Sequence, residues 1–272
     1  MKETPEVMEA GTPRRWARLG LGPLGRYRPG LFRRHLARGF HNDGGWGAVA
    51  RLPAWWPQWS SPEEKLLDRL ELMGQVVYDV GACAGAYSLF FSRRVGESGS
   101  VIAFEPQPEN FAKLTRNLNL NRVSNVHAFE LALGATTGPR TIFKLPGMST
   151  TASLAPEADS LFRRRAGVAQ VVRLDDLFGT MTLPPPGFIK IDVEGLELDV
   201  LQGALGTLSQ HRPRLLIEVH GTSRSVKASR MRQIAAFLAA LGYTLTHTES
   251  GQRLRGDATP SPASGHLFAE AT

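Results

Sequence analysis

The 272-residue chain has one cysteine, Cys83. A single thiol excludes an intrachain disulfide framework and a zinc site built from cysteines, and it suits a reducing compartment. Long apolar runs are missing too: no stretch approaches the roughly 18 apolar residues of a membrane-crossing helix. The first residues are broken by arginines and prolines, so they lack the continuous apolar segment of a signal peptide. Together these absences predict a cytoplasmic protein. The chain also carries no internal repeat.

Hydrophobic residues make up 42% and charged residues 21%, ordinary globular values that exclude a disordered or fibrous chain. The length fits one large or two small domains, enough to bury a core without disulfides. The net charge of +7 is uneven. Residues 1–60 carry ten basic side chains against four acids, a net of +6, which leaves +1 for the remainder. This basic, Trp-rich extension has a short helical pattern at 31–38 and an aromatic group, Trp55, Trp56 and Trp59. It reads either as a lid, with tryptophans packed on the main domain and arginines in water, or as a membrane-surface or anionic-substrate patch.

From residue 61 the texture changes. Ser60 or Ser61 before Pro62-Glu63-Glu64 predicts a helix start: a hydroxyl cap, proline in the first turn, then acids at the positive end. Val76-Val77-Tyr78-Asp79-Val80 reads as a buried strand, 87–94 as a helix and 101–104 as a second strand. A helix follows with Phe111, Leu114 and Leu118 on one face, and then a third strand over 126–133. Residues 144–170, with Arg163-Arg164-Arg165, read as a loop or short-helix excursion. Strands at 171–174, 188–191, 215–219 and 243–246, with helices at 196–208 and 231–241, complete a body spanning 61–250. Residues 251–272 read as a loose tail, with His266-Leu267-Phe268 able to pair or dock. Strands alternating with helices predict an α/β fold, a Rossmann-like, doubly wound parallel sheet. Ligands of such sheets sit beyond the carboxyl ends of the strands, at the switch point.

Asp79-Val80-Gly81-Ala82-Cys83-Ala84-Gly85 lies at the end of the first strand and opens a helix. Its glycines allow a sharp turn and close backbone approach to a ligand, with amide donors at a helix N-terminus. Glu105 ends the second strand, where a carboxylate accepts hydrogen bonds from both hydroxyls of a ribose. A nicotinamide site also uses such an acid, but its turn reads Gly-x-Gly-x-x-Gly to admit a pyrophosphate. Here the glycine spacing differs and an acid precedes it. That acid would repel a pyrophosphate yet can receive an ammonium group, so S-adenosylmethionine fits better.

These residues resemble class I S-adenosylmethionine methyltransferases and, within them, the FkbM family. The likeness runs over residues 76–221 through Tyr78-Asp79-Val80-Gly81-Ala82, Phe104-Glu105-Pro106, Ala132-Leu133-Gly134 and Leu174-Asp175-Asp176-Leu177. Its most specific part is Ile189-Lys190-Ile191-Asp192-Val193-Glu194-Gly195-Leu196-Glu197, followed by Leu201-Gln202-Gly203-Ala204 and Glu218-Val219-His220. Cys83 stands where the family usually shows asparagine, and a thiol is the weaker hydrogen-bonding group. The resemblance implies a seven-stranded sheet with an antiparallel last strand. It also implies that Asp79, Gly81 and Gly85 line the methionine end, Glu105 the ribose and Leu131-Ala132 the adenine. Ala82, Tyr87, Pro106 and Asp192 complete the expected cofactor-binding set.

Strand alternation puts Lys190, Asp192 and Glu194 on one side if the extended run lasts that far, and Glu218 with His220 likewise. Two readings of this cluster stand. In one, Lys190 neutralises the acids and His220 is hydrogen-bonded at a strand end. In the other, Asp192 or His220, with Glu194 and Lys190 beside them, orients or deprotonates an acceptor hydroxyl. Oxygen-rich clusters suit Mg²⁺, so a divalent metal on Asp192, Glu194, Glu218 or His220 is chemically allowed, though none is expected. The small-residue run 147–154 reads as a loop near the cofactor or acceptor, or as a solvated loop.

The expected activity is O-methylation of a small-molecule, glycan or glycolipid acceptor, the substrate classes the resemblance suggests. The basic extension motivates an alternative, an RNA methyltransferase. Against it, the body is nearly neutral and shows no aromatic-basic platform, so no nucleic-acid partner is expected. A non-catalytic binding protein is the third reading, since fold alone does not establish activity.

Overall fold

The computed structural model describes residues 62–144, 164–254 and 265–271. The basic extension and the 147–154 run therefore lie outside the described residues. In chain order the elements are α1 (Pro62–Arg69), β1 (Val76–Val80), α2 (Ala86–Val95), β2 (Ser100–Phe104), α3 (Pro108–Leu120), β3 (Val126–Phe129), β4 (Ala132–Leu133), β5 (Gly138–Lys144) and β6 (Arg164–Val172). There follow α4 (Leu174–Thr180), β7 (Phe188–Ile191), α5 (Glu197–Gly203), α6 (Leu205–His211), β8 (Arg214–Val219), α7 (Arg224–Ala240), β9 (Tyr243–His247), β10 (Arg253–Leu254) and β11 (Gly265–Ala271).

Eight strands form one sheet in the order β10-β9-β11-β8-β7-β1-β2-β3. From β3 to β8 the neighbours run parallel, while β11 runs antiparallel to both β8 and β9. This is the doubly wound α/β sheet that the alternation of strands and helices predicts, with the antiparallel last strand that the family resemblance implies. The two-residue β10, antiparallel on β9, adds an eighth strand at the edge. The order reverses at β1: β2 and β3 build outward on one side, β7 and β8 on the other. The crevice beyond the carboxyl ends of β1, β2 and β7 is thus the ligand position of this architecture.

Alternation along the central strands sorts their residues between two cores. Tyr78, Val80, Ile102, Ile189, Ile191 and Ile217 pack on the face covered by α4 to α7. Val77, Val101, Phe188 and Leu216 pack on the other face with Leu67 of α1 and Phe90 and Phe91 of α2. By the same period of two, Asp79, Lys190 and Glu218 share the α1–α2 face with Val77, Phe188 and Leu216. In register, Asp79 lies beside Lys190 and Glu218 beside His266. A row of polar side chains therefore crosses one apolar face near the strand tips.

Four expectations need correction. The third strand divides: β3 stays in the main sheet, and β4 pairs with β6 in a separate three-stranded sheet, β4-β6-β5. Residues 164–170 belong to strand β6, paired antiparallel with β5 around a bulge, not to a loop. The helix expected over 196–208 is two short helices, α5 and α6, parted at Ala204, which leaves helical geometry with φ −111° and ψ 15°. The tail boundary at 250 is also wrong, since Gly265–Ala271 lies between β8 and β9 with Leu267 and Ala269 fully buried. Among the described residues no helix is long and apolar enough to cross a membrane.

Candidate active site

The turn after β1 needs its glycines. Gly81 has φ 84° and Gly85 φ 88°, the left-handed region that side chains resist. A Cβ on Gly81 would overlap the Asp192 carbonyl oxygen, and one on Gly85 would lie 2.6 Å from Leu114 Cδ1. The turn is tied to β2 as well, because the Gly81 and Ala82 amides both donate to the Phe104 carbonyl at 3.0 Å. Cys83 takes φ 51°, a conformation asparagine adopts more readily. Burial and the neighbouring Glu105 charge push its thiol up to about 12, so it is protonated and unreactive.

Glu105 sits at the tip of β2, 5% exposed. Its Oε2 accepts from the Cys83 amide and its Oε1 from the Gln107 amide, both at 2.8 Å. Burial outweighs these bonds and raises the carboxyl to about 7. Pro106 follows at the strand end, half-buried. Leu131 packs against the main core, and Ala132 is buried in β4.

Asp79 is fully buried on the α2 side. Ser88, in the first turn of α2, donates to its Oδ2 at 2.6 Å, and Lys190 Nζ lies 3.9 Å from Oδ1, which has no hydrogen-bond partner. Burial pushes the Asp79 carboxyl above its ordinary range, against the opposing pull of Lys190 and Ser88. Lys190 donates to Asp192 Oδ2 at 3.0 Å and sits 4.2 Å from the centre of the Tyr87 ring. Burial disfavours its charge, but Asp192 and Asp79 prevail and hold it above the usual lysine range. Tyr87 donates to Glu63 Oε1 at 2.7 Å.

His220 gathers the acids at the tips of β7 and β8. Its Nδ1 lies 2.9 Å from Glu197 Oε1, and its Nε2 faces Asp192 Oδ1, Glu218 Oε1 and Glu194 Oε2 at 3.7, 3.9 and 4.0 Å. Burial works against a charged imidazole, yet the Glu197 hydrogen bond and the charges of Asp192 and Glu194 raise it to about 10. Extended geometry ends at Ile191, so Glu194 does not reach this group by strand alternation. It arrives through a turn in which Glu194 has φ 54° and Gly195 φ 110°.

The structure thus brings the expected residues into two adjoining groups. Asp79, Gly81, Ala82, Gly85, Tyr87, Glu105 and Pro106 lie on β1, the turn after it, the start of α2 and the tip of β2, with Lys190 between Asp79 and the Asp192, Glu194, Glu218 and His220 group; Leu131 and Ala132 belong to neither group. Three further residues belong to the site. Ser88 holds Asp79, Glu197 orients His220, and Arg230 of α7 donates to the His220 carbonyl at 3.0 Å. Glu197 has a sequence signal, since it opens a helix directly after the Glu194-Gly195 turn. Arg230 has none.

The sequence profile of the Methyltransferase FkbM domain matches residues 79–245, from the buried acid of β1 into β9. The chain belongs to the FkbM methyltransferase family. It is 29% identical over 143 residues to Methyltransferase 1 of Beauveria bassiana, covering 47% of this chain and 57% of that protein. It is 28% identical over 146 residues to the hexuronic acid methyltransferase AglP of Haloferax volcanii, covering 53% and 56%. It is 26% identical over 198 residues to the 31-O-demethyl-FK506 methyltransferase FkbM of Streptomyces tacrolimicus, covering 63% and 74%. The chain spans little more than half the length of the first two of these proteins. The FkbM match takes in every residue of both groups.

Proposed function

We propose that this FkbM-family chain transfers a methyl group from S-adenosylmethionine to a hydroxyl of a sugar, glycolipid or secondary metabolite. The observation that carries the cofactor reading is Glu105. A buried carboxylate at the tip of β2, tied to the amide of the β1 turn, is the group a ribose diol requires there. S-adenosylmethionine supplies a methyl group already activated on a sulfonium, so the protein's task is chiefly positional.

Glu105 accepts the two ribose hydroxyls while the Gly81–Gly85 turn lets the backbone approach. Asp79, whose Oδ1 lacks a donor, takes the positively charged methionine end together with Ala82 and Tyr87. Pro106 and Leu131-Ala132 flank the nucleoside. On the acceptor side His220, held protonated by the surrounding carboxylates, donates to and orients the hydroxyl while Asp192 takes up its proton, with Lys190 fixing Asp192 and Glu194 and Glu218 around them. An alcohol must lose that proton to become a nucleophile, which is why an acid–imidazole group favours oxygen as the methylated atom. The names of two relatives, one a hexuronic acid methyltransferase and one a 31-O-demethyl-FK506 methyltransferase, support a sugar or secondary-metabolite acceptor. A reducing, cytoplasmic setting belongs to the same reading, as does a lid or membrane contact for residues 1–60.

Incubation with methyl-labelled cofactor and separate saccharide, lipid, metabolite and RNA extracts tests this. Label is expected in the saccharide, lipid or metabolite fraction. Label confined to RNA overturns the acceptor class.

A further inference from the structure

One imidazole nitrogen meets three carboxylates at the tips of β7 and β8. The separations of His220 Nε2 from Asp192 Oδ1, Glu218 Oε1 and Glu194 Oε2 are 3.7, 3.9 and 4.0 Å. All exceed hydrogen-bond lengths. They equal the spacing of donor atoms arranged around one shared cation, since two ligands each roughly 2.1 Å from an ion lie about 3–4.2 Å apart. Asp192, Glu218 and His220 each offer an atom within 4.8 Å of the others.

The imidazole is also oriented as a metal ligand must be. Glu197, outside this ring and only 1% exposed, holds Nδ1 at 2.9 Å. A carboxylate on one imidazole nitrogen fixes the tautomer in which the other nitrogen, once its proton is exchanged for a cation, offers its electron pair to that ion. The supports are rigid as well: Arg230 clamps the His220 carbonyl at 3.0 Å, and Lys190 holds the second oxygen of Asp192 at 3.0 Å. The donor residues sit at the ends of two adjacent parallel strands, β7 and β8.

We propose that Asp192, Glu218 and His220, with Glu194 at the rim, bind a divalent cation of the Mn²⁺ and Mg²⁺ class. Carboxylates with a single imidazole suit such an ion better than a thiolate-seeking one. From sequence alone an ion on these residues is allowed but not expected. Three protein ligands leave coordination positions for two neighbouring acceptor oxygens, so the favoured substrates are vicinal diols or hydroxy acids. A hydroxyl bound there loses its proton more readily. That role rests on the methyltransferase reading; binding of the ion does not.

Mn²⁺ is the probe. The full chain, free of cofactor, is titrated while the paramagnetic resonance signal of free Mn²⁺ is followed, and one ion is expected to bind with a submillimolar dissociation constant. Glu218→Gln, at a side chain 27% exposed and therefore tolerant of change, and Glu197→Gln are each expected to weaken binding about 10- to 100-fold. Circular dichroism establishes that both variants fold. The same preparations are titrated with S-adenosylhomocysteine by calorimetry, which reads the cofactor site separately. No bound Mn²⁺ on protein that binds S-adenosylhomocysteine overturns the proposal, as does Mn²⁺ affinity unchanged in both variants. Site-dependent Mn²⁺ binding without S-adenosylhomocysteine binding keeps the cation site and removes the methyltransferase reading.

Discussion

Lowering the pH from 8 to 6 changes the charge of Glu105, whose buried carboxyl titrates at about 7 in the free protein. At pH 8 roughly nine molecules in ten carry the carboxylate, and at pH 6 roughly one in eleven. A ribose diol donates to the ionised form, so affinity for S-adenosylhomocysteine is expected to fall about tenfold over that range, ~1.4 kcal/mol. Stability runs the opposite way. The folded value of about 7 lies above the ordinary 4.5, so the cofactor-free fold binds more protons than the unfolded chain between those values. Its contribution is full below about 4.5 and is lost as pH rises through about 7, on the order of 3 kcal/mol in all. Isothermal titration calorimetry at pH 6, 7 and 8, repeated on Glu105→Gln, reads the effect. The wild type should show the slope and the variant should lose it. An affinity that is flat from pH 6 to 8, or that rises on acidification, refutes the assignment of Glu105 to the diol.

Three further outcomes follow from the packing. Lys190→Met strands Asp79 and Asp192 without their shared cation in a site where Asp79 is fully buried; urea denaturation should show a loss of about 3–5 kcal/mol, and a loss below about 1 kcal/mol would contradict the network. Gly81→Ala places a Cβ against the Asp192 carbonyl at φ 84°, so it should destabilise by more than about 2 kcal/mol, again read by urea denaturation. A chain ended at residue 250 loses β11 from between β8 and β9 and should show no cooperative thermal unfolding; a native-like transition would restore the reading of 251–272 as a tail.

The parts of the fold legible in the sequence are those whose residues are buried on both faces. Strands β1, β2, β7 and β8 read as continuous apolar runs because they are central parallel strands, and the acids at their tips interrupt those runs visibly. Residues 164–170 of β6 escaped because Arg165 to Val168 face water, leaving no apolar period to detect. Strand β11 escaped because its short core, His266 to Ala269, follows a stretch of Gly, Pro and Ser that signals a loop. The residues proposed for the cofactor side come from one local turn and one strand end. Ser88, Glu197 and Arg230 were not assigned there, because their roles come from contacts between elements far apart in the chain. Glu194 was placed with the right neighbours for the wrong reason, through a glycine-assisted turn and not through alternation.

Equilibrium dialysis with labelled S-adenosylmethionine tests the central claim most directly, using the wild type and a Glu105→Ala variant whose fold is checked by circular dichroism. The account predicts saturable binding of one molecule per chain by the wild type, weakened about 10- to 100-fold in the variant through the loss of charged hydrogen bonds. A folded wild type that binds none, or a variant that binds as tightly, contradicts it.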